Sequence, residues 1–227
     1  MSRKIPTTIK DPHLVLQRRA EIVDVATRLF LKNGFHNTSI RDIARACPFN
    51  LASLYMYVAS KEDILFLVAQ QLIEEKAKAM AEVEMLDDNP IASFRTALRS
   101  YCRIVHNYRP HIRLLYRELD VLTLERREIV MSSLSTVTDV FEHIVRKGIA
   151  SGDFADVEPK LVALNALFLC HLWSLHPRAL RALTTDVDTF FDMQSKIILQ
   201  GLLAREPESG EKTKRGRRSN RISVSAA

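Results

Sequence analysis

The side chains best suited to bind a charged partner are concentrated between Arg41 and Lys61. Within this stretch, residues 50–57 read Asn-Leu-Ala-Ser-Leu-Tyr-Met-Tyr and combine small residues with two tyrosines. Small side chains let a helix approach base edges, and tyrosine hydroxyls reach phosphates while their rings meet thymine methyl groups. Lys61 adds a cation where a phosphate could also meet the free backbone amides of a helix N-terminus. This pattern indicates a surface that binds nucleic acid.

Three helical segments must position these side chains. In the first, apolar residues recur three and four apart from residue 15 to residue 31, and Asn33-Gly34 supplies a helix stop. The second runs from Ser39 to Ala46 and ends at Cys47-Pro48-Phe49, because proline disfavours helix in the residue before it. The third runs from the cap residue Asn50 through Tyr57. Two helices joined by so short a turn cross steeply, as in a helix-turn-helix.

The remainder of the chain also has a helical period, and the whole chain has only six glycines. Ser60 opens the fourth helix with Asp63 in a near capping box. We predict helices at 61–85, 90–107, 110–118, 122–150, 158–176 and 186–204, which makes an all-α protein of about nine helices. We divide the chain into an N-terminal arm (1–14), the three helices of a DNA-binding domain (15–60), a helical body (61–205) and a basic, disordered tail (206–227).

Positive charge is placed at the two ends of the chain. The net charge is +6, and residues 1–60 hold nine Lys and Arg against four Asp and Glu. The tail from 206 holds six against three, whereas the body is slightly acidic. Such a distribution favours a polyanion bound at the ends, although basic proteins that bind no nucleic acid are common.

The N-terminal segment resembles the signature of TetR-family (tetracycline repressor) regulators. The similar residues are Asn33-Gly34-Phe35-His36-Asn37-Thr38-Ser39-Ile40-Arg41-Asp42-Ile43-Ala44, then Ser53-Leu54-Tyr55-Met56-Tyr57-Val58 and Ser60-Lys61-Glu62. Two departures are Cys47-Pro48-Phe49, where the family usually has a small residue, Gly and an aliphatic, and Val58, where Phe is usual. The resemblance implies a DNA-binding transcriptional regulator, most simply a repressor that a small-molecule effector releases from a pseudo-palindromic operator.

The resemblance also implies which residues contact operator DNA. Thr38 and Ser39 cap the second helix and touch a phosphate, and Arg41 faces the DNA. The base-facing and backbone-pinning residues are then Asn50, Leu51, Ala52, Ser53, Tyr55, Tyr57 and Lys61. The alternatives are that Tyr57 is packing and that Arg41 is a solvated helix charge.

The last two helices carry a wide apolar surface, which predicts a dimer. The interface residues that we expect are Leu164, Leu167, Phe168, Leu175, Phe190, Phe191, Ile197 and Ile198. The resemblance to the family implies the same arrangement, because family members form a four-helix interface from these two helices and their copies in the partner. The alternative is that these stripes fill the core of one protomer.

By the same resemblance, a ligand cavity lies among the helices of the body. Polar or aromatic residues on otherwise apolar faces are the candidates: Tyr101, His106, Tyr116, His143, His171 and Trp173. Each of them could equally be satisfied core or surface. The apolar surroundings suggest an effector such as a fatty acyl-CoA or an aromatic compound.

No catalytic constellation is present, so we expect no enzyme, no metal site and no cofactor. Cys47, Cys102 and Cys170 are far apart in sequence, which fits a reducing cytoplasm. The family resemblance implies a nucleoid-associated bacterial protein, and we expect no membrane partner. The segment Lys212–Arg218 resembles the Arg-Gly-Arg core of a minor-groove-binding AT-hook, and Arg3, Lys4 and Lys10 could contact phosphates. The alternative function is an all-helical interaction or lipid-binding protein whose basic ends bind without sequence preference.

Overall fold

The computed structural model describes residues 5–85, 89–183 and 186–203, and all of its regular elements in these ranges are helices. The α-helices are α1 (Pro12–Asn33), α2 (Ile40–Ala46), α3 (Leu51–Tyr55), α4 (Lys61–Glu84), α5 (Pro90–Asn107), α6 (Arg109–Glu118), α7 (Leu124–Ser132), α8 (Ser135–Ser151), α9 (Pro159–Leu175), α10 (Pro177–Leu180) and α11 (Val187–Leu202). A single 3-10 turn, Leu119–Val121, separates α6 from α7. The all-α prediction is therefore confirmed. The tail from 206 onward, with Lys212–Arg218, and also Arg3 and Lys4, lie outside the described residues.

The first three helices pack around one small core. Asp11 caps α1 by accepting hydrogen bonds from the amides of His13 and Leu14, and α1 ends at Gly34. Gly34 has φ 89°, a value that side chains with a Cβ rarely adopt, so glycine suits this stop. The fully buried side chains that join the three helices are Ile22, Ala26, Phe30, Ile43 and Leu54.

Helix α4 connects the N-terminal helices to the rest of the molecule. Its 24 residues pack against α1, α5, α6, α7 and α8. The apolar run Ile64 to Ala69 is buried all round, which is expected of a helix enclosed by neighbours on every side. A displacement of α4 would therefore reach both halves of the chain.

The predicted helix 122–150 is wrong in one respect: it is two helices, α7 and α8, that meet at Ser133 and Leu134. Three serines within four positions explain the break, because their hydroxyls donate to backbone carbonyls of the preceding turn. Ser132 donates to Ile129, Ser133 to Val130 and Ser135 to Ser132, over 2.6–3.1 Å. Such bonds compete with the helical ladder. The third helix is also shorter than predicted, and α10 is an additional turn after Pro177.

Three of the expected dimer-interface residues are buried inside the protomer instead. Leu167, Phe190 and Phe191 are each at most 2% exposed. Phe190 stacks on Trp173 with ring centroids 5.3 Å apart, and the Arg99 guanidinium lies 4.6 Å from the Phe191 ring. These residues fill the core among α5, α9 and α11. For them the alternative holds, namely that the apolar stripes of the last two helices fill the core of one protomer. Phe168 and Ile197 are exposed, and Leu164, Leu175 and Ile198 are half-buried.

Two cysteines that are far apart in sequence meet in the core. The Cys102 and Cys170 sulfur atoms lie 3.0 Å apart between α5 and α9, and both thiols are free and buried. Burial raises the pKa of Cys170 well above its ordinary value, and the Cys102 thiol adds to this effect. A thiol held protonated is a poor nucleophile, so this pair serves packing. In the described part of the chain, no helix is long and apolar enough to cross a membrane.

Candidate DNA-binding surface and ligand cavity

Helix α2 begins with a complete capping box. The Ser39 hydroxyl accepts from the Asp42 amide over 3.2 Å, and the Asp42 carboxylate accepts from the Ser39 amide over 2.9 Å. The Ser39 hydroxyl also donates to that carboxylate, and these bonds lower the pKa of Asp42. Asn50 caps α3 in the same way, since its side-chain oxygen accepts from the Ser53 amide over 2.8 Å. Both helices thus begin at defined residues, which fixes the turn between them.

The turn between α2 and α3 leaves a basic and polar face open to solvent. Arg41, Arg45, Asn50, Ala52 and Tyr55 are exposed, and Tyr55 keeps 53% of its surface. A groove of about 350 Å³ between the two helices is lined by Arg41, Ala44, Arg45, Asn50 and Leu51. Leu51 is half-buried against the core, and Ser53 is half-buried on the same helix. A shallow groove with two arginines and small side chains can admit a phosphate backbone and a base edge.

Two residues expected to contact DNA are buried. Thr38 is 1% exposed, and its hydroxyl donates to the Gly34 carbonyl over 2.8 Å, so it closes the α1–α2 loop while Ser39 alone caps α2. Tyr57 is 7% exposed, with its ring 6.2 Å from that of Phe49. The expectation that Thr38 touches a phosphate and that Tyr57 pins the DNA backbone is therefore wrong for this conformation, because tertiary contacts cover both side chains.

Lys61 is used inside the protein. Its ammonium donates to the Phe35 carbonyl over 2.8 Å and to the His36 carbonyl over 3.3 Å, and it lies 4.6 Å from the centre of the Phe35 ring. The N-terminus of α4 is thereby tied to the loop that precedes α2. Because an ammonium has three donors, one remains for a phosphate.

The N-terminal arm is fastened to the end of α3, a feature that the sequence did not reveal. The Arg19 guanidinium donates to the carbonyls of Ile5 and Tyr57 over 2.7 and 3.2 Å. The Thr7 hydroxyl donates to the Met56 carbonyl over 2.8 Å. These bonds satisfy carbonyls at the C-terminal end of the short helix. Arg19 therefore positions α3 from behind.

A cavity of about 270 Å³ lies between α4, α5, α6, α7 and α9. Its lining is mostly apolar: Leu72, Ile112, Leu115, Leu119, Val130, Met131, Leu134 and Phe168. The polar members are Lys76, Tyr101, Tyr116 and His171. Three of the six residues predicted from sequence to contact a ligand thus line one cavity. A mostly apolar pocket with a few polar groups is the usual form of a small-molecule site.

His171 joins the two tyrosines of the cavity. Its Nε2 lies 2.7 Å from the Tyr101 hydroxyl, and its Nδ1 lies 2.7 Å from the Tyr116 hydroxyl. Burial lowers the pKa of His171 to about 4, and the nearby charge of Lys76 acts in the same direction. The imidazole is therefore neutral at neutral pH, with one N–H and one acceptor nitrogen.

Lys76 is the cavity residue that sequence reasoning missed. Its side chain is buried, and the ammonium donates to the Ser133 hydroxyl over 3.1 Å. Burial lowers the pKa of Lys76 to about 8. The sequence around it, Glu74-Glu75-Lys76-Ala77-Lys78, has the composition of an exposed helix face, but the spacing distinguishes this lysine: Lys76 is four residues from both Leu72 and Met80 and so shares their face of α4, whereas Lys78 does not.

The other three predicted ligand residues lie elsewhere. Trp173 donates from Nε1 to His106 Nδ1 over 2.9 Å, and the Arg109 guanidinium covers the Trp173 ring at 5.3 Å. His143 is exposed on α8 and lines a separate depression of about 310 Å³ at the end of α4. These three residues therefore do not line the α4–α9 cavity. Within the described ranges, no cluster of His, Cys, Asp or Glu could hold a metal ion.

Models of two protein-family domains match successive parts of the chain. The model described as "Bacterial regulatory proteins, tetR family" matches residues 22–68, which contain the α2–α3 surface. The model described as "Tetracyclin repressor-like, C-terminal domain" matches residues 87–174, which contribute most of the cavity wall. Together the two matches span more than half of the chain. The chain belongs to the TetR family of transcriptional regulators.

Individual TetR-family proteins are similar over most of their length. The regulator HbdR of Aromatoleum sp. (strain CIB) is 27% identical over 175 residues, which are 77% of this chain and 76% of HbdR. A tetR-family regulatory protein from Rhodococcus RHA1 superposes with a TM-score of 0.73 at 20% identity, covering 83% of this chain and 98% of that one. AibR, solved with isovaleryl coenzyme A and operator DNA, gives a TM-score of 0.67 at 21% identity, covering 79% of this chain and 97% of AibR.

In this TetR-family chain, α7 links the cavity to the N-terminal helices. Val130 and Met131 of α7 line the cavity, while Arg126 of the same helix donates to Asp63 over 2.6 Å. Asp63 in turn accepts from the Ala59 and Ser60 amides over 2.9 and 3.2 Å, directly after α3 and its following turn. The Arg126 guanidinium also lies 4.9 Å from the Phe66 ring. A shift of α7 would thus reach the capping box that begins α4.

The outward surfaces of α9 and α11 carry several exposed apolar side chains among polar ones. The large apolar side chains exposed on or next to these helices are Leu161, Phe168, Met193, Ile197 and Leu203. Single exposed apolar residues are ordinary, but a row of them along two packed helices is typical of a surface that another molecule covers. Phe168 belongs both to this surface and to the cavity wall.

Proposed function

We propose that this chain is a homodimeric repressor that binds a pseudo-palindromic operator and is released by a small-molecule effector. The observation that carries the proposal is the α2–α3 surface, where Arg41, Arg45, Asn50 and Tyr55 are exposed on two capped helices. In this proposal, residues 15–60 form the DNA-binding domain and residues 61–205 the ligand-binding and dimerisation domain. The protein acts in the cytoplasm, on the bacterial nucleoid.

The proposed DNA contacts are divided by their chemistry. Arg41, Ser39 and Tyr55 bind phosphates, with Lys61 offering its remaining donor, whereas Asn50, Leu51, Ala52 and Ser53 face the base edges. Arg45 is a further phosphate contact, since it is exposed beside Arg41 and lines the same groove. Phosphate contacts orient the helix, and base contacts give sequence preference.

The proposed dimer pairs α9 and α11 with their copies through Leu164, Phe168, Leu175, Ile197 and Ile198. The exposed apolar residues Leu161 and Met193 on the same helices support this surface. A two-fold dimer presents two α3 helices to half-sites about 34–36 Å apart on one face of B-DNA. The operator is then a pseudo-palindrome.

The proposed effector site is the α4–α9 cavity, with Tyr101, Tyr116 and His171 in its wall. AibR, which has the same fold, was solved with both an acyl-CoA and operator DNA. A ligand between α4 and α7 would displace α7, and the Arg126–Asp63 bond would carry that displacement to the start of α4. The two α3 helices then no longer match successive major grooves. Operator and effector weaken each other's binding by the same factor.

The proposal is tested by selecting bound fragments of the source bacterium's genomic DNA with purified protein at about physiological salt. A shared pseudo-palindrome, protected from nuclease on two successive major grooves, is the expected result. Uniform recovery that disappears as salt is raised would contradict the proposal and favour a helical protein whose basic ends bind polyanions without sequence preference.

A further inference from the structure

The four polar residues of the cavity form one group. His171 is hydrogen-bonded to Tyr101 and Tyr116. Lys76 lies close enough for its charge to add to the effect of burial, which lowers the pKa of His171. The remaining wall is aliphatic apart from Met131 and Phe168. A ligand in this cavity therefore meets one polar group and an otherwise apolar surface.

Lys76 brings a buried cation to this group without a counter-charge. Only 4% of the residue is exposed, and among the described residues its ammonium donates to the Ser133 hydroxyl alone. Of the described residues that line the cavity, none is a carboxylate. Removing an ammonium from water is costly unless it is paired, and an ammonium has three donors to satisfy. The position is therefore suited to an anionic ligand.

Tyr116 supplies a second hydrogen-bond donor to the cavity. Tyr101 is fully buried, so its hydroxyl proton needs an acceptor, and His171 Nε2 at 2.7 Å is the one it has. Neutral His171 then carries its proton on Nδ1 and donates it to the Tyr116 oxygen. The Tyr116 hydroxyl proton is left for another acceptor, and Tyr116 lines the cavity.

We propose that the effector is a compact apolar carboxylate whose acid group accepts hydrogen bonds from Lys76 Nζ and Tyr116 Oη. Its carbon skeleton packs among Leu72, Ile112, Leu115 and Phe168. At about 270 Å³ the cavity is smaller than the ~300–1,000 Å³ of typical drug-sized sites, which favours a short chain or a single ring. The inference rests on the proposed function only in naming this ligand an effector.

The pairing predicts uptake of a proton on binding. In the free protein the pKa of Lys76 is about 8, and a bound carboxylate raises it. The titratable groups facing Lys76 are His171 from α9, Tyr101 from α5 and Tyr116 from α6. His171 has already lost its proton near pH 8, and burial raises the pKa of both tyrosines. Lys76 is thus the cavity group that takes up the proton, and affinity falls as the pH rises above about 8.

The test is isothermal titration calorimetry with straight-chain carboxylates from butanoate to dodecanoate and with phenylacetate, each beside its primary amide. The proteins are the wild type, Lys76→Met, Tyr116→Phe and the control Lys78→Met, which removes an exposed lysine two residues away. We expect at least one acid to bind about tenfold or more tightly than its amide. Lys76→Met abolishes that preference, Tyr116→Phe weakens acid binding about fivefold, and Lys78→Met changes neither.

Heats measured at about pH 8.5 in buffers of different ionisation enthalpy give the number of protons taken up. Uptake by the wild type and by Lys78→Met, but not by Lys76→Met, is the expected result. Lys76→Met should fold, because it replaces a buried lone charge by an apolar chain of similar length, and its thermal midpoint should equal or exceed that of the wild type.

Three results would overturn the inference: no acid of the series binds, an acid and its amide bind equally, or Lys76→Met keeps the preference for acids. The proposed function is tested separately by adding the preferred acid to the protein on its selected operator. Acid binding without any loss of operator affinity would leave the ligand class standing and would remove its role as effector.

Discussion

Arg126 Nη2 donates to Asp63 Oδ1 across 2.6 Å and so joins the helix that lines the cavity to the first turn of the helix that follows the DNA-binding surface. Asp63 is 8% exposed at its side chain and Arg126 is 23% exposed. Asp63 also caps α4, so the same carboxylate holds the amides of Ala59 and Ser60. This largely buried charge pair therefore connects α7 to the start of α4, next to the DNA-binding helices.

We predict that Arg126→Gln reduces the effect of the effector on operator affinity by about tenfold. The substitution leaves Asp63 with its backbone donors but without its charge partner, so the free energy of unfolding falls by about 2 kcal/mol. Operator binding without effector should persist, since α2 and α3 keep their own caps. The measurement is fluorescence anisotropy of labelled operator with and without effector, together with urea denaturation.

The control is Arg146→Gln, because Arg146 pairs with Glu142 at the same 2.6 Å on an exposed face of α8. A solvent-exposed pair contributes only about 0–1 kcal/mol, so neither stability nor coupling should change appreciably. If Arg126→Gln behaves like Arg146→Gln, the buried pair does not transmit the effector signal.

The two tyrosines of the α3 region should respond differently to loss of a hydroxyl. Tyr55 is 53% exposed and Tyr57 is 7% exposed. We predict that Tyr55→Phe weakens operator binding about fivefold, the worth of one hydrogen bond to a phosphate, and leaves stability unchanged. Tyr57→Phe should leave operator affinity unchanged. The measurements are operator titrations and thermal melts of both variants. Equal losses of operator affinity in Tyr55→Phe and Tyr57→Phe would contradict the prediction and place Tyr57 at the DNA as well.

A charge on α11 should separate the proposed dimer. Ile197 is 65% exposed, and in a two-fold interface Ile197→Asp places two carboxylates in an apolar contact. We expect the dimer dissociation constant to rise at least about tenfold in sedimentation equilibrium. Leu16→Asp is the matched control, since Leu16 is also 65% exposed but lies on α1. Equal behaviour of the two variants would exclude α11 from the interface.

Because His171 is neutral in the folded chain, the free energy of unfolding depends on pH. Its pKa is about 4 in the folded chain against an ordinary 6.5, so between these values the unfolded chain binds the extra proton. The free energy of unfolding therefore falls as pH drops from about 6.5 to about 4, by about 3 kcal/mol from this group.

His171→Gln keeps hydrogen-bonding capacity and removes this titration, so its curve of unfolding free energy against pH should be shallower by that amount. Partial burial also lowers the pKa of His111, but His111 is present in both proteins, so its contribution cancels from the difference. Parallel curves from urea denaturation at several pH values would show that His171 is not held neutral.

The helices could be predicted from sequence because their signals are local. Apolar residues recurring at a helical period, the caps Ser39, Asn50 and Ser60, and breaks at proline and Asn-Gly act within a few residues. Where local signals compete, prediction failed: the serine hydroxyls around Ser133 end α7, although the apolar period continues through them.

Exposure could not be predicted, because it depends on which tertiary neighbour covers a side chain. Thr38 and Tyr57 have the residue types of DNA contacts, and Phe191 has that of an interface, yet each is covered within the protomer. Lys76 is the opposite case, since its residue type predicts exposure to solvent, whereas its position on the face of Leu72 and Met80 places it in the cavity wall. The bond between Arg126 and Asp63 spans 63 positions and has no sequence signal.

The most direct test of sequence-specific DNA binding is a comparison of two dissociation constants at about 150 mM salt. One is for the operator obtained by genomic selection, and the other is for a shuffled duplex of the same composition and length. A specific regulator should bind the operator at least ~10³-fold more tightly, and the ratio should persist as salt is raised. Equal affinities, both lost with salt, would contradict the assignment of α2 and α3 as a reader of sequence.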